Sequence, residues 1–388
     1  MSLTGIIAEF KPLHSGHKYL IDEAKRGGPV VCVISGNFVQ RGDTAIFEKR
    51  VRAEMALKCG ADLVIELPVC YSMSTAQNFA FGSISLLSAI GCDNIIFGSE
   101  SGKIQPLIES SEILCSQEFS KKLSTHLESG ITFAKARQMA AEECGVPKGV
   151  LKGANNNLGI EYILAAKTIN PKIKFKTIKR LGAMHDSTTL DDSYISASLI
   201  RQKIKENDFS SFEKYIPTEI WEIFKNCNYS DITKIENAIL AVLRTKTSED
   251  LSFLPDLSEG LENKLFSQIK VALNLEQLYN DMKVKRYTHA RIRRLVLSAF
   301  LGLDNHIFLK TPPYLRVLGF NKTGEEILRK QKINSPIPII LRANEIEKLG
   351  TDAQYVFDAE CRATDLYGLS LNKPICCGLE MTAPLIKL

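Results

Sequence analysis

Two histidines separated by a serine and a glycine, His14-Ser15-Gly16-His17, stand between a short apolar run at residues 5–8 and a stretch with Leu20, Ile21 and Ala24 at helical spacing. With Pro12 interrupting the run, the pattern reads strand, tight loop, helix, with Ser15 or His14 where the helix starts. Both imidazoles are thereby delivered to a helix N-terminus, where unpaired backbone N–H groups and the helix dipole favour an anion. Gly16 lets a phosphate approach the backbone closely, and each imidazole can donate a hydrogen bond to it. The chemistry within reach is binding of phosphates and stabilisation of charge as one of them leaves. The plainer reading, two ordinary loop histidines, does not account for the strand–proline–helix setting.

The elements that would hold this motif alternate as a doubly wound α/β sheet does. A second strand at 30–34 leads into Ser35-Gly36-Asn37-Phe38-Val39-Gln40-Arg41-Gly42-Asp43. A helix at 46–59, a strand at 63–67, a small-residue helix at 72–90 and a strand at 94–97 ending in Gly98-Ser99-Glu100 follow. Ligands of open α/β sheets bind beyond the carboxyl ends of the strands. His14, His17, residues 35–41, Glu66 and Gly98 all fall there. Ser35, Gly36, Asn37, Gln40 and Arg41 are expected to form a substrate-facing loop. The plainer alternatives are that Gly36 and Gly42 serve turns, that Arg41 and Asp43 pair at the surface, and that Glu66-Leu67-Pro68 ends a strand.

Helices are expected at 104–127, 132–144 and 149–158, then a strand at 174–180 that carries Lys179 and Arg180 at its carboxyl end. Asn155, Asn156 and Asn157 precede an apolar-periodic helix; a cap explains one of them, and three suggest polar recognition. Ile195-Ser196-Ala197-Ser198-Leu199-Ile200-Arg201 opens another helix, where Ser196 and Ser198 can hold phosphate oxygens and Arg201 can clamp them. The alternative is a capped surface helix with an exposed arginine.

Past residue 206 the chain turns to helical periodicity, at 216–224, 232–243 and 261–278. Residues 1–206 are therefore expected to form a Rossmann-like, phosphate-binding α/β domain, and 207–388 a mainly helical one. The run from Lys283 to Arg294 holds six lysines and arginines in twelve positions and no acid. As a helix it would bury Ile292, Leu295, Val296 and Ala299 and leave its arginines on other faces. Lys285, Arg286, Arg291, Arg293 and Arg294, with Tyr287 as a stacking surface, suit an RNA backbone. A solvated cationic face is the alternative. Residues 312–388 hold a strand-like run at 337–341 and no assigned role.

Composition agrees with an intracellular enzyme: a chain of 388 residues, 45% hydrophobic and 24% charged, can bury a large core. A net charge of +5 permits an anionic partner without demanding one. The ten cysteines include no C-x-x-C pair, which favours reduced structural thiols over zinc. Neither a signal peptide nor a membrane-length apolar stretch is apparent, so a cytoplasmic location is expected.

His14-Ser15-Gly16-His17 resembles the His-x-Gly-His signature of the nucleotidyltransferase superfamily, and residues 195–201 resemble the second signature of nicotinamide-nucleotide-type adenylyltransferases. A wider set is similar to the tRNA(Met) cytidine acetate ligases: Glu9-Phe10 through His17, residues 35–42, 60–68 and 97–100, Asn155-Asn156, residues 158–162, 177–180, His185-Asp186, 260–263, 285–288 and 318–320. The resemblance spans most of the chain. Lys11 and Ser15 depart from it, standing where the family pattern usually or often has asparagine. Lys11 either adds a phosphate contact or marks a subgroup with another acid or acceptor.

The resemblance implies that ATP activates acetate as acetyl-adenylate and that the acetyl group passes to N4 of the wobble cytidine of elongator tRNA(Met). Its implied ATP site is Ile7, Ala8, Glu9, Phe10, Lys11, Pro12, Leu13, His14, Ser15, Gly16, His17, Lys18, Tyr19 and Leu20, with Gly98, Asn155, Asn156 and Arg180, to which the residue reading adds Ser196 and Ser198. His14 and His17 would donate to phosphate oxygens, and Arg201 with Lys179 or Arg180 would neutralise pyrophosphate. Mg²⁺ is expected because it neutralises ATP oxygens, although no acidic cluster identifies its ligands. Two other classes fit parts of the chain. A small-molecule adenylyltransferase has little use for the basic helical region, and a non-catalytic RNA-binding protein with a relic nucleotide fold has none for the histidines.

Overall fold

The structure, a computed structural model, describes residues 2–180, 195–257, 260–284, 287–308 and 310–388. His185, Asp186, Lys285 and Arg286 lie outside the described residues. The strands are β1 (Thr4–Ala8), β2 (Val30–Ser35), β3 (Phe38–Val39), β4 (Asp43–Thr44), β5 (Leu63–Leu67), β6 (Asn94–Ser99), β7 (Lys174–Lys179), β8 (Leu315–Phe320), β9 (Ile339–Ile340) and β10 (Ile386–Lys387). They form one sheet in the order β10-β8-β5-β2-β1-β6-β7, with β9 on β8, and a separate β3–β4 hairpin. From β5 through β7 every pairing is parallel. The β8 strand runs antiparallel to β5, and β10 pairs with β8 in parallel.

Alternation sorts the strand residues between two cores. Val31, Val33, Leu63 and Ile65 pack on one face, beneath the helices Ala76–Ala89 and Ala154–Ile169. Cys32, Ile34 and Val64 pack on the other, with the helices α1 (Ser15–Lys25), α2 (Lys49–Lys58) and Ala197–Lys205. A third core gathers the helices between Glu236 and Leu301 against Thr351–Ser370.

The sheet thus draws on both sides of residue 206. Without β8, the β5 strand would expose its outer N–H and C=O groups as an open edge; the wholly buried Leu315–Phe320 segment pairs with it instead. Two expected helices are each divided by local caps. Ser116 Oγ accepts from Phe119 N (3.1 Å) and separates Gln105–Leu114 from Gln117–Glu128. Asn274 Oδ1 accepts from Gln277 N (2.7 Å) and separates Leu261–Val271 from Leu275–Met282. A capping side chain satisfies a helix-end N–H, so a break costs little where one is available. All ten cysteines are free thiols. Among the described residues no helix is long and apolar enough to cross a membrane.

Candidate active site

From β1 the chain steps to β2 and β5 on one side, then to β6 on the other. The crevice beyond the carboxyl ends of β1 and β6 is therefore the switch point at which open α/β sheets take ligands. The histidine motif opens there. His14 is the N-cap of α1, and its Nδ1 accepts from Gly16 N (3.0 Å). His17 Nδ1 in turn accepts from His14 N (3.4 Å), a reciprocal cap made of two imidazoles. A ring whose Nδ1 accepts carries its proton on Nε2, so each histidine offers one Nε2–H donor. A Cβ on Gly16 would lie 2.9 Å from His14 Cε1, so only glycine leaves the turn open.

Both rings stay neutral at physiological pH. Burial, reinforced by the positive charge of Arg180, lowers His14 to about 4. Burial, then His14 and Arg180, holds His17 well below the usual imidazole value. Neither residue is fully enclosed: both are half-buried. The two ring centroids are 4.1 Å apart, and Phe10 meets His17 edge-on at 5.2 Å.

The first turn of Ala154–Ile169 faces the same crevice through Glu100. This carboxylate accepts from Asn155 N (3.0 Å), Asn155 Nδ2 (2.9 Å) and Asn156 N (2.8 Å). Arg180 Nη1 donates to Asn155 Oδ1 (2.7 Å), and a Cβ on Gly98 would lie 2.9 Å from Arg180 Cγ. Gly98, Asn155, Asn156 and Arg180 are therefore brought together with the histidines. Part of the asparagine run is internal: Asn156 Nδ2 donates to Val150 O (3.1 Å), and Asn157 Nδ2 to Leu151 O (2.6 Å) and Gly153 O (2.9 Å). Lys179 is exposed and lies against Gly102.

Arg201 reaches the motif from behind. It donates to Lys11 O (3.0 Å) and to Ser198 Oγ (3.0 Å), while Ser196 caps its helix through Leu199 N (3.1 Å). Lys11 Nζ pairs with Asp43 (2.6 Å), so Asp43 is taken by Lys11 rather than by Arg41. Lys11, Asp43, Ser198, Arg201 and Lys205 line a cleft of about 270 Å³ beside the motif. Ser15 Oγ donates to Tyr215 O (2.7 Å).

Ser35, Gly36 and Asn37 are buried rather than displayed. Asn37 Nδ2 donates to Thr364 Oγ1 (3.1 Å), and its Oδ1 accepts from Lys49 N (2.9 Å). Gln40 N donates to Glu9 Oε1 (2.8 Å), whereas Arg41 is exposed. Glu66 joins a buried charge cluster with Lys49, Glu360, Glu380 and Arg316. Sequence reading missed Lys49, Arg52 and the role of Glu100. The first two had a signal: Lys49, Arg52, Ala53 and Ala56 lie at i, i+3, i+4 and i+7, and all four are buried. A cation on a core-facing stripe calls for buried acceptors.

In the basic run, the helix His289–Leu301 starts at the cap Thr288. Arg291 donates to Asp256 O (3.1 and 2.8 Å) and lies over the Tyr287 ring at 4.6 Å. Arg294 is buried, pairing with Asp256 (2.6 Å) and donating to Gln40 O (3.2 Å). Arg293 is exposed, 5.6 Å over the Tyr279 ring. The arginines thus divide between holding the helix to its neighbours and facing solvent.

Comparison with known proteins matches residues 1–377 to the HIGH Nucleotidyl Transferase family. A tRNA(Met) cytidine acetate ligase of Thermoanaerobacter sp. (strain X514) is 40% identical over the full length of both chains. One of Clostridium novyi (strain NT) is 37% identical over 92% of this chain and 95% of its own. Among solved structures, Thermotoga maritima TmcAL bound with alpha-thio ATP superimposes over all of both chains, with a TM-score of 0.90 and 29% identity.

Proposed function

The chain belongs to the HIGH nucleotidyl transferase family and, within it, to the tRNA(Met) cytidine acetate ligases, and from that premise we propose that it is the ATP-dependent ligase that acetylates N4 of the wobble cytidine of elongator tRNA(Met). The observation that carries this reading is the pair of Nε2–H donors at the N-terminus of α1, at the switch point of the sheet. Acetate is already ionised at neutral pH and needs no protein nucleophile. Its carboxylate oxygen attacks the α-phosphorus, the bond to the bridging oxygen breaks, and pyrophosphate leaves. N4 of the cytidine then attacks the acetyl carbonyl, AMP leaves, and the nitrogen gives up a proton.

Catalysis of this kind is placement and electrostatics. His14 and His17, although neutral, each keep an Nε2–H that can be donated to phosphate oxygens as negative charge builds on them. Arg180 supplies the nearby positive charge, and Lys179 stands beside it. Arg201 and the Ser196–Ser198 helix start support the loop that carries the motif. Among the described residues no group of three or more His, Cys, Asp or Glu side chains is placed to hold a metal. A Mg²⁺ would meet the nucleotide's phosphate oxygens, whose charge it neutralises. Residues 1–206 take the ATP-binding role and 207–388 the tRNA-binding role, with Arg293 the exposed arginine of the basic helix. A cytoplasmic location follows from the tRNA substrate.

Exchange of labelled pyrophosphate into ATP, run with a panel of small carboxylic acids, tests the first half-reaction. Exchange that depends on acetate supports the reading; exchange driven by a different acid replaces acetate, and none with any acid removes the ligase. Transfer of labelled acetate to elongator tRNA(Met), but not to a transcript with another wobble base, tests the second.

A further inference from the structure

Arg52 lies wholly inside the protein, and its hydrogen bonds go to backbone carbonyls. From α2 it donates through Nε to Phe47 O (2.9 Å), through Nη1 to Glu9 O (2.6 Å) and through Nη2 to Gly36 O (2.5 Å). Those carbonyls belong to the loop after β1, the loop after β2 and the lead-in to α2. Among the described residues no carboxylate accepts a hydrogen bond from it. Burying a cation this way is costly, and a neutral donor would satisfy any one carbonyl. What only a guanidinium supplies is a rigid fork that fixes several acceptors relative to one another.

The loop it holds leads directly to the histidines. Glu9 precedes Phe10, which sits at φ +46°, a left-handed conformation that a residue with a side chain rarely adopts. The Phe10 ring then meets His17 edge-on, with centroids 5.2 Å apart. Glu9 carries a second tie, its Oε1 accepting from Gln40 N (2.8 Å), so the β3–β4 hairpin is registered to the same point. We propose that Arg52 is a positioning residue for His17: by holding the Glu9 and Gly36 carbonyls it sets the backbone at Phe10, and the Phe10 ring fixes the plane of the His17 imidazole that faces the nucleotide. The inference rests on the proposed role of His17 in adenylate formation.

A double-mutant cycle separates positioning from mere stability. Arg52→Lys keeps the charge but cannot span three carbonyls. In the otherwise unaltered protein it should lower kcat for acid-dependent pyrophosphate exchange by about tenfold or more, since a displacement of about 1 Å in a catalytic group costs up to about a hundredfold. The KM for ATP should change far less. In the His17→Ala background the same change should cost less than about twofold, because the group it positions is gone. Equal losses in both backgrounds would overturn the proposal. Where Arg52→Lys does not fold, Phe10→Leu tests the last link by the same cycle and against the same outcomes. NMR titration of the His17 ring gives a readout free of turnover. Its pKa should rise toward the ordinary value in either variant, and an unmoved value would overturn the relay. If the unaltered protein shows no acid-dependent exchange, the functional reading falls and the titration alone decides the role of Arg52.

Discussion

At the scale of single residues, the imidazole cap ties structure to chemistry in one pair of side chains. His14 and His17 use Nδ1 to close the start of α1, which leaves Nε2–H to donate in the role proposed for them. Replacing either by alanine should leave the protein folded and lower adenylate formation ~10²–10³-fold, as losing one preorganised donor to developing charge does. Pyrophosphate exchange checks the rate, and circular dichroism checks the fold. The lowered pKa values give a second expectation. An unperturbed histidine near 6.5 would put an inflection in kcat/KM there; with His14 at about 4 and His17 also well below, the free-enzyme profile should cross pH 6.5 without one. Stability has the opposite sign from a salt-bridged histidine. The folded-state value lies below the unfolded one, so the contribution is whole above pH ~6.5 and is lost as pH falls toward 4. Urea midpoints measured across that range test it.

At the scale of elements, the β3–β4 hairpin and the basic helix His289–Leu301 meet at Gly42. Its φ is +69°, and an added Cβ would lie 2.6 Å from Arg293 Cβ and from Arg294 N. Gly42→Ala should therefore destabilise the protein by at least ~1–2 kcal/mol, the cost of a left-handed residue with a side chain, and the crowding adds to it. The arginines of that helix divide their work. Arg291 and Arg294 are engaged by Asp256, so replacing them should loosen the helix. Arg293→Gln should weaken tRNA binding and lower the slope of log K against log salt by roughly 0.7–0.9, the share of one phosphate contact. Binding measured over a salt series decides it, and an unchanged slope makes Arg293 a solvated surface charge.

At the scale of the whole molecule, one buried charge cluster joins the two halves of the chain. Lys49 of α2 contacts Glu66 of β5, Glu360 of Thr351–Ser370 (2.8 Å) and Glu380 (2.5 Å) near the chain's end. Arg316 of β8 pairs with Glu380, which Arg50 also holds at 3.0 Å. Burial and the adjacent Glu66 push the Glu360 carboxyl up to about 8, consistent with a proton held between carboxyl groups too close for both to ionise. Lys49→Met would strand these carboxylates and should cost ~3–5 kcal/mol, as breaking a buried pair does. Because β8 and β10 complete the sheet begun by β1 and β2, the described halves should unfold together. Fluorescence of the single tryptophan, Trp221, and far-ultraviolet circular dichroism should therefore report coincident transitions.

Residue order alone determined the local events. The alternation of strands and helices through residue 99, the histidine motif at a helix start and the placing of Gly98 and Arg180 at strand ends were all legible, because each depends on periodicity, a cap or a strand terminus within a few positions. The family resemblance was legible for the same reason, in motifs of contiguous residues. Pairings between distant segments were decided only by tertiary structure. Nothing near residue 315 marks β8 as the partner of β5, since an apolar run reads alike as an edge strand, a central strand or part of a buried helix. The burial of Ser35, Gly36 and Asn37 depends on Thr364 and Arg52. The capture of Arg291 and Arg294 depends on Asp256, at least 35 positions away. A charge run looks solvated until the acid that neutralises it arrives from another part of the chain. Such long-range partners are chosen by the packing of whole elements, and no local pattern of residues encodes them.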